Sequence, residues 1–185
     1  YTHLDRWAAC GSSAGFADAE KKKKALAARL SAAAVLQSRT SAKDHRPRHN
    51  CHLKAVLPRM KKNHFGRVIF NGSRAALGVP TRTAYSSTKA GITGMARTWA
   101  LELAPYGITV NVVAPGPIQT DNFWDLIEKG SKQEEKLAKS IPVGRLGTTK
   151  DVSNAFLFFC DPQNSFVTGQ ILYVCGGASI GAMTL

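Results

Sequence analysis

Acidic residues are scarce: 12 Asp and Glu stand against 25 Lys and Arg in 185 residues, a formal charge of +13. The excess is uneven. Tyr1 to His64 holds 14 basic and 4 acidic residues, and Phe65 to Leu185 holds 11 and 8, so the first third carries +10 and the remainder +3. Basic charge confined in this way does not make a binding stripe on the rest of the chain, and nucleic acid is not an expected partner. The four cysteines, Cys10, Cys51, Cys160 and Cys175, are far apart and include no C-x-x-C. That spacing excludes a metal ribbon, a dithiol redox motif and a dense disulfide framework, so reduced thiols and a cytoplasmic setting are expected. No run of about 18 uncharged apolar residues occurs, and no membrane span is expected. The first third also lacks strand-like alternation. It contains Lys21 to Lys24, an alanine-rich segment from Ala25 to Leu36 and the polar stretch SAKDHRPRHN. KKKKALAARLSAAAVL reads as a solvated amphipathic helix, and residues 1–52 as a basic, atypical segment, helical or partly disordered. His45, His49, Cys51 and His52 are too irregularly spaced for a metal site and read as a solvated loop, so no metal is expected.

From Leu53 the composition changes, and helical and strand-like segments alternate. Leu53 to Lys62 reads as a short basic helix, and Val68 to Asn71 as an apolar strand running into Gly72-Ser73. Thr83 to Ala104 places Ile92, Met95, Trp99 and Leu103 at helical spacing, and Pro105 and Gly107 stop it. Ile108 to Ala114 is nearly all apolar and β-branched, as a strand covered on both faces should be, with Pro115-Gly116 ending it. Asn122 to Ser140 reads as charged helical pieces. Asp151 is expected to cap an apolar helix reaching Cys160, and Ile171 to Val174 to form a last strand before Gly176-Gly177. The pattern predicts an α/β fold: a Rossmann-like parallel sheet with crossover helices, its N-terminal half truncated or atypical.

In such sheets ligands bind beyond the carboxyl ends of the strands. Ser73 follows one strand end, the loop after Ala114 follows the next, and Tyr85 and Lys89 lie on the first turns of the helix between them. Tyr85 and Lys89, four residues apart, share one helix face. A phenol titrates near pH 10, and bringing it to neutrality requires about 4 kcal/mol. An ammonium about 4 Å away contributes about that much at an effective dielectric near 20. Ser73 could then hold a substrate carbonyl oxygen while Tyr85 moves the proton.

The stretch GSRAALGVPTRTAYSSTKAGITGMARTWALELAPYGITVNVVAPGPIQT resembles the catalytic half of the short-chain dehydrogenase/reductase family, with a likeness from Leu53 to about Gly181. That family's Ser and Y-x-x-x-K fall on Ser73, Tyr85 and Lys89. Its P-G loop, which packs on the nicotinamide, falls on Pro115, Gly116, Ile118 and Thr120, and Asn111 matches a structural asparagine. The resemblance implies cofactor contacts from Tyr85, Lys89 and the P-G loop. It also implies a 3-oxoacyl-carrier-protein-reductase-like oxidoreductase that uses NAD or NADP on a small carbonyl or alcohol. Family members pair through the tyrosine-bearing helix, so a homo-oligomer through Tyr85 to Leu103 is expected, with Gly91 and Gly94 permitting close approach.

The first third departs from this pattern. The family's T-G-x-x-x-G-x-G phosphate turn has a weak counterpart in Cys10 to Ala19, where Gly11 and Gly15 fit and Ala17 does not. Without that turn and an acidic ribose-binding residue, cofactor binding is expected no tighter than about millimolar. The alternative reading is a catalytically silent, truncated member that acts as an oligomerising or anionic-surface-binding protein.

Overall fold

The two apolar runs VIF and ITVNVVA become the central strands of a four-stranded parallel sheet, ordered β1-β2-β3-β4. The computed structural model describes residues 33–37 and 49–180, with side chains from Leu53 onward, all within the unit Ala32–Leu185. The elements are β1 (Ala33–Gln37), α1 (His49–Lys62), β2 (Gly66–Asn71), α2 (Thr83–Leu103), β3 (Ile108–Pro115), α3 (Asp121–Trp124), α4 (Lys132–Ser140), α5 (Thr149–Cys160) and β4 (Ile171–Val174). Every neighbouring pair is parallel, with Val35 opposite Ile69, Ile69 opposite Asn111 and Ala114 opposite Tyr173. The sequence-based expectation of an α/β parallel sheet is met.

β1 corrects the reading of the first third. AAVLQ, the end of the segment expected to be helical, is a strand paired with β2 along its whole length. Alanine and leucine favour a helix when alone, but a free strand edge offers five residues of ladder pairing, and that tertiary partner outweighs propensity. Cys10 to Ala19, Lys21 to Lys24 and His45 lie outside the described residues, whereas His49, Cys51 and His52, expected in a loop, form the first turn of α1, which starts four residues before the expected Leu53.

Strand alternation divides the core. Val68, Phe70, Val110 and Val112 point to one face, where Ile92, Ala96, Ala100 and Leu103 of α2 and Leu53 and Met60 of α1 cover them. Trp99 packs on Phe70 with ring centroids 5.4 Å apart. The opposite face carries polar side chains as well as apolar ones. Asn111, 1% exposed, donates from Nδ2 to the Val167 carbonyl (2.9 Å) and accepts from the Gln170 amide (3.0 Å), fixing the loop that leads into β4. The buried Arg67 donates to the Gly66 carbonyl (2.9 Å) and the Pro162 carbonyl (3.3 Å), and stacks over Phe65.

The start of α5 differs from expectation by three residues. Thr148 is the N-cap: its Oγ1 accepts from the Asp151 amide, and Asp151 Oδ2 accepts from the Thr148 amide (2.7 Å) in a reciprocal capping box. Asp151 also takes a two-pronged bond from Arg145, at 2.9 and 3.1 Å. The Arg145 bond, followed by the Thr148 amide and hydroxyl bonds, holds the Asp151 carboxyl far below the usual carboxylate range. The folded pKa lies below the unfolded one. The resulting stabilisation is therefore present above about pH 4 and is lost as pH falls toward the folded value. Asp151→Ala is expected to lower the melting temperature at pH 7 and to converge with the parent chain in strong acid. Parallel melting curves from pH 7 to pH 2 check this, and a difference that persists unchanged into strong acid contradicts it.

Candidate active site

Ser73 stands two residues beyond the end of β2. Its backbone is extended (φ −166°, ψ 149°), and it caps a single 3-10 turn, Arg74–Leu77, by accepting the Ala75 amide at Oγ (3.1 Å). That bond fixes the oxygen and uses one acceptor position, which leaves the hydroxyl proton free to donate. Gly72 lies in a tight seat: its amide donates to the Val113 carbonyl (2.7 Å), and a Cβ there would come within 2.7 Å of Val112 Cγ1. β3 thus anchors the Ser73 loop directly.

α2 begins at Thr83, putting Tyr85 in its first turn and Lys89 one turn further on. Their environments differ sharply. Tyr85 is 41% exposed, whereas Lys89 is 6% exposed. The Lys89 Nζ donates to the Asn71 carbonyl at the end of β2 (2.9 Å) and sits 5.7 Å from the centroid of the Tyr85 ring. The ammonium therefore faces the ring at cation–π range and donates its hydrogen bond to the strand end, a looser relation to the phenol than the 4 Å pair expected from helix spacing. Burial lowers the Lys89 pKa from its ordinary value. The structure brings Tyr85, Lys89 and the strand end preceding Ser73 together, and the Ser73 turn packs against α2.

The P-G loop is built on the adjoining strand. Pro115 ends β3 opposite Val174, and the Gly116 amide donates to the Val174 carbonyl (2.9 Å). A Cβ on Gly116 would lie 2.7 Å from Cys175 Cβ, so glycine is required by this close approach. Ile118 forms a parallel bridge with Gly147, flanked by bonds from Gln119 N to Gly147 O (2.9 Å) and from Gly147 N to Pro117 O (3.0 Å). Thr120 precedes α3. Its carbonyl accepts the Phe123 and Trp124 amides, while its hydroxyl makes no capping bond.

Two residues of this neighbourhood have no place in the motif-based reading. Asn71 supplies the carbonyl that anchors Lys89, and its side-chain Oδ1 is buried and has no hydrogen-bond partner among the described residues, as is true of Ser86 Oγ. Asn71 sits at a strand end beside a catalytic-type serine, a position that could have drawn notice. Ser86 had no such signal.

A family model described as enoyl-(acyl carrier protein) reductase matches residues 9–179, beginning upstream of the motifs. The dehydrogenase subunit BbsD from Thauera aromatica, which acts on (2S)-[(R)-hydroxy(phenyl)methyl]succinyl-CoA, is 48% identical over 128 residues, 69% of this chain and 50% of that protein. The 3-oxoacyl-[acyl-carrier-protein] reductase FabG of Buchnera aphidicola is 42% identical over 125 residues, 67% of this chain and 50% of that protein. The chain spans about half the length of these curated relatives. Among solved structures, a 7 alpha-hydroxysteroid dehydrogenase complexed with NADH and 7-oxo glycochenodeoxycholic acid is similar with a TM-score of 0.69 and 30% identity. That match covers 89% of this chain and 72% of the other. ElxO with NADP bound gives 0.63 and 35%, over 68% and 51%. With a parallel sheet, a family match across most of its length and relatives of this kind, the chain belongs to the short-chain dehydrogenase/reductase family.

Proposed function

We propose that this site interconverts a carbonyl and an alcohol, with Ser73, Tyr85 and Lys89 as its working groups. The observation that carries the reading is Lys89: a buried ammonium fixed to a strand-end carbonyl, with the ring of a partly exposed tyrosine at 5.7 Å. Burying a charge is costly, and a lysine on a surface helix face can reach water instead. In the reducing direction the Ser73 hydroxyl donates to the substrate carbonyl oxygen. The Tyr85 hydroxyl then delivers its proton to that oxygen, and Lys89 stabilises the negative charge left on the phenolate. Oxidation runs the same proton in reverse.

The donors and acceptors suit the nicotinamide half of NAD or NADP. Lys89 has two N–H groups beyond the one given to Asn71, which suit ribose hydroxyls, and Tyr85 lies beside it. Pro115, Gly116 and Ile118 form a pinned, largely apolar edge for a flat ring, and the Thr120 hydroxyl is uncommitted as a cap. A nicotinamide dinucleotide supplies or accepts the hydride when bound. The weak, millimolar-range affinity expected from the first third belongs to this proposal too. Assays with NADH and NADPH across a panel of ketones test the reading. Turnover with at least one ketone is the expected result, and flat traces with both cofactors from folded protein reject it in favour of a catalytically silent member.

We further propose that the chain pairs with a second copy through α2. Gly91 and Gly94 open onto unfilled space, where a Cβ would meet nothing within 4 Å, and Leu101 on the same helix is 80% exposed. A dimer or larger assembly is expected by light scattering at micromolar concentration; a monomer contradicts this.

A further inference from the structure

Arg74 follows Ser73 directly and opens the 3-10 turn that Ser73 caps. Its side chain lines a cavity of about 170 Å³ together with Pro117, which follows Gly116 of the P-G loop, and with Leu137, Ile141 and Pro142 from the end of α4 and the turn beyond it. The cavity therefore adjoins the serine loop and the P-G loop at once. Complete small-molecule sites hold about 300–1,000 Å³, so a space of this size suits one end of a substrate. Most of its polar groups are committed: Ser140 Oγ donates to the Leu137 carbonyl (2.7 Å), and the Pro117 carbonyl accepts the Gly147 amide (3.0 Å). Arg74 is the exception. A guanidinium has five N–H donors, and Arg74 gives one, from Nη1, to the Ala178 carbonyl at 3.4 Å, longer than the usual range of about 2.7–3.2 Å. That contact turns the guanidinium toward the C-terminal turn, where Gly177 sits so close to Pro142 that a Cβ would lie 2.9 Å from its Cγ. Nearby cations are neutralised, Arg145 by Asp151 and Lys139 by Glu135, whereas Arg74 has no carboxylate partner among the described residues.

We propose that Arg74 is a specificity-determining residue that binds a carboxylate carried by the substrate, so that the site favours short keto acids and hydroxy acids over neutral ketones and alcohols. This rests on the reading of Ser73 as the group that holds the carbonyl oxygen, and it names the substrate class of that same site. The Nε–Nη2 edge of Arg74 is uncommitted, and two parallel N–H groups on one edge match the two oxygens of a carboxylate. One molecule is then held at two points, its carbonyl oxygen by Ser73 and its carboxylate by the next residue. Pro117, Leu137, Ile141 and Pro142 supply apolar walls for the carbons near the carboxylate.

The test uses a series of straight-chain keto acids in which the carboxylate moves one carbon at a time away from the ketone, each beside its neutral methyl ester. The parent chain is expected to favour at least one acid over its ester by about 10- to 100-fold in kcat/KM, the contribution of a charge-assisted pair. In Arg74→Met that ratio is expected to fall to about one. A parent chain with no such preference, or a preference that survives in Arg74→Met, overturns the proposal. Binding is followed without turnover through the Arg74 Nε–Hε NMR signal, assigned by its loss in Arg74→Lys, both without cofactor and with the oxidised nicotinamide, which cannot reduce a ketone. The signal is expected to shift saturably with at least one acid and to stay in place with its ester; a signal that no acid moves overturns the proposal, whether or not Arg74→Met folds. An inactive chain whose Arg74 signal still responds to the acid rejects the proposed carbonyl chemistry and upholds the carboxylate subsite.

Discussion

Tyr85→Phe is expected to reduce turnover by about 10²–10⁴-fold, the usual contribution of a positioned acid–base group. The substitution removes one oxygen and leaves the ring that Lys89 faces at 5.7 Å. Tyr85 is 41% exposed, so losing its hydroxyl opens no cavity, and unfolding free energy should stay within about 0.5 kcal/mol of the parent chain. Steady-state kinetics beside a urea titration separate the two effects. The damage should appear in kcat and kcat/KM together, since proton transfer is an interaction of the transition state. Unimpaired turnover would assign the proton to another group.

Phe70→Ala is the substitution expected to cost most in stability. Phe70 is fully buried one residue from the end of β2, between Leu36 of β1 and Val112 of β3 in the register, and it packs on Trp99 of α2. Removing such a ring from a core costs about 3–5 kcal/mol, through lost transfer energy and the cavity left behind. Domains of this kind have roughly 5–15 kcal/mol in all. Phe70 is also one residue from Asn71, so loosening it should disturb the anchor of Lys89. A loss below about 1 kcal/mol in urea unfolding would mean that the site collapses around the missing ring.

The parts of this molecule that were legible in its sequence are those whose local signal agrees with the tertiary result. The β-branched run Ile108 to Ala114 is buried on both faces and is the strand it resembles, and the periodicity of Ile92, Trp99 and Leu103 matches the buried stripe of α2. Tyr85 and Lys89 at four-residue spacing share the helix face that spacing implies. What escaped was set by partners distant in sequence. AAVLQ has helix-forming residues and becomes a strand because β2 pairs with it. Asp151 was a sensible cap by residue type, but the reciprocal pairing with Thr148 makes it the third residue of the helix. The direction of the Lys89 ammonium toward the Asn71 carbonyl depends on how α2 lies across β2, which no local pattern encodes. The orphaned oxygens of Asn71 and Ser86 are visible only once those two elements meet.

In the proposed reaction Ser73, Tyr85 and Lys89 act together on a carbonyl while a hydride reaches its carbon. Deuteride transfer tests it most directly. The full chain at stoichiometric concentration, supplied with nicotinamide cofactor deuterated at the transferring carbon and with a ketone substrate, would be followed by mass spectrometry of the product. An alcohol carrying one deuterium on its carbinol carbon, formed by the parent chain and suppressed in Tyr85→Phe, is the expected product. Folded parent protein that binds both cofactor and ketone yet yields no deuterated alcohol would contradict it.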